Sequence, residues 1–220
     1  MPFQSLRAVI AALMCVAATA LASCGVLDRD ELFLRPSQYD ERTTHVPVAV
    51  SKAWVAAPGI RSIYMRPIFD GYEQRLTLDN PTLLPGDNML ILRARDNIVP
   101  EARLKFEEFT TWTGGLPVPF TNLNSGSLTR GEDELGPYYY AVYRGGVDTI
   151  CVFGIRRLTT AARKIPVSGD VMDVQLRNCQ RNGAEAALAP LLASSLQSGF
   201  SATQPNGKSR LLSPLAGPDQ

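Results

Sequence analysis

Two runs of strand-forming residues, 60–68 and 72–78, are separated only by Phe69-Asp70-Gly71. A link that short closes a β-hairpin, because glycine accepts the positive φ that a tight turn demands. The chain therefore commits early to antiparallel pairing. Pro85-Gly86-Asp87-Asn88 supplies turn chemistry before an apolar run at 89–94, which reads as a well-buried strand. Residues 138–144 then alternate, Gly145-Gly146 turns the chain, and 149–158 returns as a second hairpin. One more strand, 171–179, places Val171, Asp173, Gln175 and Arg177 on one face and Met172, Val174 and Leu176 on the other.

Between these strands the period changes. From Pro100, the residues Ala102, Phe106 and Phe109 follow helical spacing with charged residues between them, and Gly114-Gly115 ends the run. Residues 184–197 form a second helical run, rich in Ala and Leu and interrupted by Pro190. Proline inside a helix costs about 3 kcal/mol, so a kink or break is expected there. The stretch 115–136 is dominated by Gly, Pro, Asn and Ser and reads as an exposed loop of the kind that often carries contacts. The expected fold class is α+β: a single domain with a largely antiparallel sheet and two packing helices on one side of it.

The first residues carry an address. One cation, Arg7, precedes an apolar and small-residue run at 8–22, which closes with Leu21-Ala22-Ser23-Cys24. The run is short for a membrane span, which takes about 20 residues, and it has the form of a secretory signal. Its close looks like a bacterial lipobox, so residues 1–23 are expected to be removed, taking Cys15 with them, and Cys24 to receive the lipid. The alternative is an ordinary cleaved signal with a free Cys24. Gly25 follows in place of the aspartate that retains many lipoproteins at the inner membrane, which predicts an outer-membrane, lipid-anchored protein on the periplasmic face. Residues 24–58, broken by Pro36, Pro47 and Pro58, read as a tether in which 46–50 alternates loosely enough to add an edge strand. The lone histidine, His45, is expected to be exposed and idle there. Residues 59–200 form the globular domain, and 201–220, with repeated Pro and Gly, a disordered tail.

Loss of Arg7 leaves 21 basic residues against 21 acidic ones, so the processed chain has no net formal charge. That balance leaves no basic footprint for nucleic acid. The expected partners are the membrane through the lipid and a neutral molecule, a glycan included, or a protein.

With Cys15 removed and Cys24 acylated, Cys151 and Cys179 remain for the domain. In an oxidising periplasm a disulfide between them is the natural reading. Two buried thiols, or a redox pair without a Cys-x-x-Cys motif, are the alternatives. The sequence carries no Gly-x-Ser-x-Gly elbow, phosphate loop, His-Glu-x-x-His or zinc-spaced cysteine set, so no catalytic residue, cofactor or metal is assigned. The carboxylates Glu107, Glu108, Glu132, Asp133 and Glu134 could supply a glycosidase pair, but runs of this kind are ordinarily solvated. The aromatics Trp112, Tyr138, Tyr139, Tyr140 and Tyr143 are candidate glycan contacts, set against the ordinary role of strand aromatics in the core.

The order of Gln74 and Leu76, Pro85-Gly86-Asp87-Asn88, Gly136-Pro137-Tyr138, Tyr140-Ala141, Arg144, Asp148, Cys151, and Gln175, Arg177 and Cys179 resembles the cellulose biosynthesis protein BcsN family. One departure is Phe153-Gly154-Ile155-Arg156, where the family pattern has an aromatic and a glutamine after the first cysteine. The resemblance implies an outer-membrane lipoprotein acting as a non-enzymatic accessory factor in cellulose or related exopolysaccharide biosynthesis or export, with envelope proteins of polysaccharide synthesis or export as its partners. The rival readings are a lipoprotein subunit of a secretion or pilus assembly system and a periplasmic hydrolase of sugar polymers.

Overall fold

The computed structural model describes residues 35–96, 104–146 and 148–197. The expected signal peptide, Cys24, the expected helix start at Pro100 and the expected tail lie outside them.

An eight-stranded, wholly antiparallel sheet organises the domain. Its strands are β1 (Val46–Val48), β2 (Ile60–Ile68), β3 (Gly71–Leu78), β4 (Met89–Arg95), β5 (Thr129–Asp133), β6 (Gly136–Gly145), β7 (Thr149–Thr159) and β8 (Val171–Gln180), in the order β1-β2-β3-β4-β8-β7-β6-β5. Two meanders thus start at opposite edges and meet in the middle, where β4 pairs with β8.

This topology explains the long connection between β4 and β5. To reach the far edge the chain must pass across β8, β7 and β6. It does so with helix α2 (Phe106–Trp112) and the loop after it, burying Phe106, Phe109 and Phe120 against Cys151, Phe153, Ile155 and Cys179. The opposite face is covered by residues 53–57 and by the chain after β8, where Ala53, Val55, Leu191 and Leu196 meet Leu76, Leu92, Val152 and Val174. The sheet is therefore covered on both faces, and its central strand β8 is buried on both sides.

Expected and observed strand limits agree within a residue or two because alternation and turn chemistry point the same way. Phe69-Asp70 is the two-residue turn between β2 and β3. Gly71 has φ +148°, and a Cβ there would stand 2.1 Å from the Ala94 carbonyl oxygen, so both backbone conformation and space require glycine. The C-terminal helical run breaks at Pro190 as expected: α3 (Ala184–Leu188) passes into a 3-10 turn, Ala189–Leu191, and then into α4 (Ala193–Leu196). The helices, expected on one side, lie on both: α2 on the face of Phe153, α3 and α4 on the face of Val174. The long crossover forces this split, since it must cover the face that the C-terminal segment leaves open.

Two further segments differ from expectation. The 115–136 loop contains the edge strand β5, whose Arg130, Glu132 and Asp133 lack apolar alternation and suit an edge that must not pair further. Much of the expected tether packs on the domain: the compact unit starts at Tyr39, β1 pairs with β2, and Ala53 and Val55 are inaccessible to solvent. Short apolar segments framed by prolines show no period in sequence, yet they cover the sheet face beside β2 and β3. Tyr39 to Arg42 complete helix α1 (Pro36–Arg42), from which Asp40 reaches the sheet.

Candidate functional site

The cysteines stand directly opposite each other on β7 and β8 and form a disulfide, with Cα atoms 3.9 Å apart. The aromatics are divided between the two faces of the sheet. Tyr138 and Tyr140 pack partly buried on the core with Val174, their rings 5.9 Å apart, while Tyr139 lies against the Phe153 cluster. Tyr143 is exposed with its ring edge-on to Phe120. Trp112 contacts Phe109 and covers two guanidiniums, Arg93 at 4.9 Å and Arg95 at 4.8 Å. Strand alternation sends adjacent tyrosines to opposite faces, so these residues provide no single stacking surface.

The carboxylates also divide. Glu107, Glu132 and Glu134 are exposed, and Glu108 is partly so. Asp133 instead accepts two bonds from Arg156, whose side chain has no solvent exposure. Burial pushes the Asp133 carboxyl up, but the bonds from Arg156 and the N–H groups of Ala193 and Leu135 hold it below its usual value. Asp133 thus pins the β5–β6 turn to the start of α4 instead of joining a solvated acidic run.

A row of charges crosses the face of the sheet under α2. Register places Arg66 opposite Glu73, Glu73 opposite Arg93, Arg93 opposite Asp173, and Asp173 opposite Arg157. The signs alternate from strand to strand. Arg93 Nε donates to Glu73 at 2.8 Å, Arg157 Nε to Asp173 at 2.6 Å, and Arg75 Nε to Glu73 at 2.7 Å. Burial raises the Glu73 carboxyl, but the charges of Arg93 and Arg75 and the bond and charge of Arg66 outweigh it and bring it down to about 2.

His45, expected to be idle, ends this row with Nε2 2.8 Å from Glu73 Oε1, and burial lowers its pKa against the opposing pull of Glu73. It was misread because its neighbours in sequence look like a tether. The row itself had a signal: Arg66 and Glu73 are equidistant from the Phe69-Asp70 turn, so a hairpin must pair them.

Beside the row, on the same face, lies a cavity of about 390 Å³. Arg75, Ile91 and Gln175 share one register row of its floor, Met89 and Arg177 the next. Its walls are the Pro85-Gly86-Asp87 turn and the loop from Thr113 to Val118. Arg177 ties the two walls together: Nε donates to the Val118 carbonyl at 2.8 Å, Nη2 to that of Pro85 at 2.7 Å, and Nη1 to that of Gly86 at 2.9 Å. Nη1 also reaches Asn88 Oδ1 at 3.0 Å, and Asn88 in turn accepts from the Cys179 N–H and donates to the Cys179 carbonyl. Carbonyl dipoles, rather than a carboxylate, thus hold this cation. Burial lowers its pKa, with the charge of Asp87 opposing.

Gln175 is 6% exposed; its Nε2 donates to Thr113 Oγ1 at 3.3 Å, while its Oε1 is buried and accepts no hydrogen bond among the described residues. Gly114 and Gly115, at φ +76° and +120°, shape the rim, where a Cβ would meet nothing. The sequence marked the Pro85–Asn88 turn, Gln175, Arg177 and the cysteines but not their convergence, which depends on β4 pairing with β8 across a long stretch of chain.

Among the described residues no group of His, Cys, Asp and Glu is arranged to hold a metal ion, and no helix is long and apolar enough to cross a membrane. No family model, curated protein or solved structure matches the chain.

Proposed function

We propose that this protein is an envelope lipoprotein, anchored through Cys24, that serves as a non-enzymatic accessory factor in the production or export of cellulose or a related exopolysaccharide. The observation that carries this reading is that two of the segments by which the sequence resembles the BcsN family, the Pro85-Gly86-Asp87 turn and Gln175 with Arg177, meet at one cavity. Pro85, Gly86 and Asn88 accept from Arg177, Gln175 lines the floor, and Cys179 joins Cys151 beside them. Residues separated by about half the chain thus share one place, as a binding site requires and a scattered structural pattern does not.

The groups at this place suit binding. Arg177 is locked by carbonyls, Arg75 is paired with Glu73, and Ile91 and Met89 offer apolar surface. A ligand in the cavity would lie against the loop that carries α2 across the sheet, leaving the anchored domain able to hold a glycan segment or its synthesis machinery near the membrane.

Deleting the gene should lower extracellular glycan, measured by dye binding and sugar analysis, while synthase activity in isolated membranes stays normal. Cys24→Ser should abolish metabolic labelling with a palmitate analogue and release the protein from the membrane fraction. Unchanged glycan output together with loss of a pilus or secretion system would replace this role with a subunit of that assembly. Cleavage of glucan chains by the purified protein would overturn its non-enzymatic character.

A further inference from the structure

We infer that the cavity above β3, β4 and β8 binds a hydroxylated carboxylate, namely a uronic-acid sugar unit, with its carboxylate on Arg75 and a hydroxyl on Gln175. This deepens the proposed function and rests on it for the source of the sugar.

The charge of the lining selects an anion. Arg75 and Arg177 both line the cavity against the carboxylate of Asp87, and the Glu73 carboxylate that meets Arg75 is shared with Arg66 and Arg93. The domain as a whole is close to neutral, so this local excess belongs to the site. Arg177 contributes charge rather than free donors, because its nitrogens already donate to Val118, Gly86, Asn88 and Pro85. Arg75 differs: among the described residues only its Nε is engaged, by Glu73, and its side chain retains 28% exposure. Its two Nη groups are therefore available to a carboxylate in the fork geometry that guanidinium favours.

A bare oxyanion would leave two other features unused. Gln175 Oε1 is a buried acceptor with no donor among the described residues, and a buried acceptor in a folded protein calls for a partner. A ligand hydroxyl supplies that donor. Met89 and Ile91 on the floor, with Leu116, Pro117 and Val118 in the wall, present an apolar surface on which the C–H face of a pyranose can rest. A purely apolar carboxylate would satisfy this surface and Arg75 but leave Gln175 unmet. A neutral sugar would satisfy Gln175 and the surface but leave the Nη groups of Arg75 without a carboxylate to pair. The uronic acid alone among these uses all of them, and the volume of about 390 Å³ falls within the range of small-ligand sites.

Calorimetric titration of the full-length protein with D-glucuronate, D-glucose and N-acetylalanine tests the assignment. Glucuronate should bind at least about 10-fold more tightly than either of the others, a gap of roughly 1.4 kcal/mol. Arg75→Gln should bring glucuronate down to the level of glucose, and Gln175→Leu should weaken glucuronate and glucose alike. Should either variant fail to fold, wild-type protein still decides: raising the ionic strength should weaken glucuronate binding and leave glucose unaffected. Equal affinity for glucuronate and glucose, or no glucuronate binding, overturns the inference. N-acetylalanine matching glucuronate overturns the sugar assignment in favour of a peptide carboxylate. If gene deletion lowers extracellular glycan while glucuronate fails to bind, the ligand class is wrong and the accessory role stands; glucuronate binding with no effect of deletion means the reverse.

Discussion

Glu73 and Arg93 face each other across β3 and β4, with Arg93 Nε donating to Glu73 Oε2 at 2.8 Å in a place solvent does not reach. Glu73 also accepts from Arg66 and Arg75, so one carboxylate balances several guanidiniums. Its pKa falls from 4.5 to about 2 on folding. A carboxyl whose pKa is lowered in the folded state stabilises the fold above its unfolded value and loses that stabilisation as pH falls towards the folded one. Acidification from 4.5 to 2 should therefore remove about 3 kcal/mol of stability. Urea unfolding followed across this window should show a falling midpoint in the wild type and a flatter dependence in Glu73→Gln. At neutral pH that variant leaves buried guanidiniums unbalanced and should cost about 3–5 kcal/mol. A variant as stable as the wild type would contradict the role given to Glu73.

The Cys151–Cys179 bridge closes a sequence separation of 28 and joins the central strand β8 to β7. Loop-closure entropy assigns it about 3–4 kcal/mol. Reduction should lower the urea midpoint accordingly. Protein taken from an oxidising compartment should resist alkylation when denatured, and label at both cysteines after reduction.

The sheet was largely legible because its two clearest hairpins combine alternation with turn glycines, as at Gly71 and Gly146. β5 escaped because an exposed edge strand has no apolar face to repeat: Thr129, Arg130 and Glu132 all look like loop. The buried charges escaped for the opposite reason. Residues such as Arg93, Asp173 and Arg156 are ordinarily assigned to the surface, and what permits their burial is a partner on a neighbouring strand that sequence distance conceals. His45 was read from its local surroundings, whereas its environment is set by Glu73 on β3. The cavity depends on the same long-range step, since neither the Pro85–Asn88 turn nor Gln175 reveals that β4 and β8 are neighbours.

Gly71 offers a sharp test of the hairpin geometry. With φ +148° and the Ala94 carbonyl 2.1 Å from any Cβ, Gly71→Ala must push β3 away from β4. Gly146, at φ +63° with open space around it, carries only the backbone penalty. Gly146→Ala should cost about 1–2 kcal/mol, and Gly71→Ala about 4 kcal/mol or more. Equal losses in chemical denaturation would mean that the contact with Ala94 has no influence.

Arg156 and Asp133 should behave as one unit whose members are not equivalent. Arg156 is buried completely, donates to both oxygens of Asp133 and to the carbonyls of Leu191 and Gly136, and its Nε has no partner among the described residues. Asp133→Asn strands this cation in the core and should cost about 3–5 kcal/mol. Arg156→Met removes the buried charge itself, while Asp133, with 16% of its side chain exposed, still accepts from the N–H groups of Leu135 and Ala193. Its cost should be smaller, and the double variant should lose well under the sum of the two, because once the guanidinium is gone the asparagine has no charge to abandon. Hydrogen exchange separates this from a general loosening of the fold. In Asp133→Asn the Ala193 amide loses its carboxylate acceptor, so exchange should quicken first at Ala193 while the β4–β8 amides remain protected. Strictly additive losses, with uniform exchange across the sheet, would show that Asp133 and Arg156 act independently.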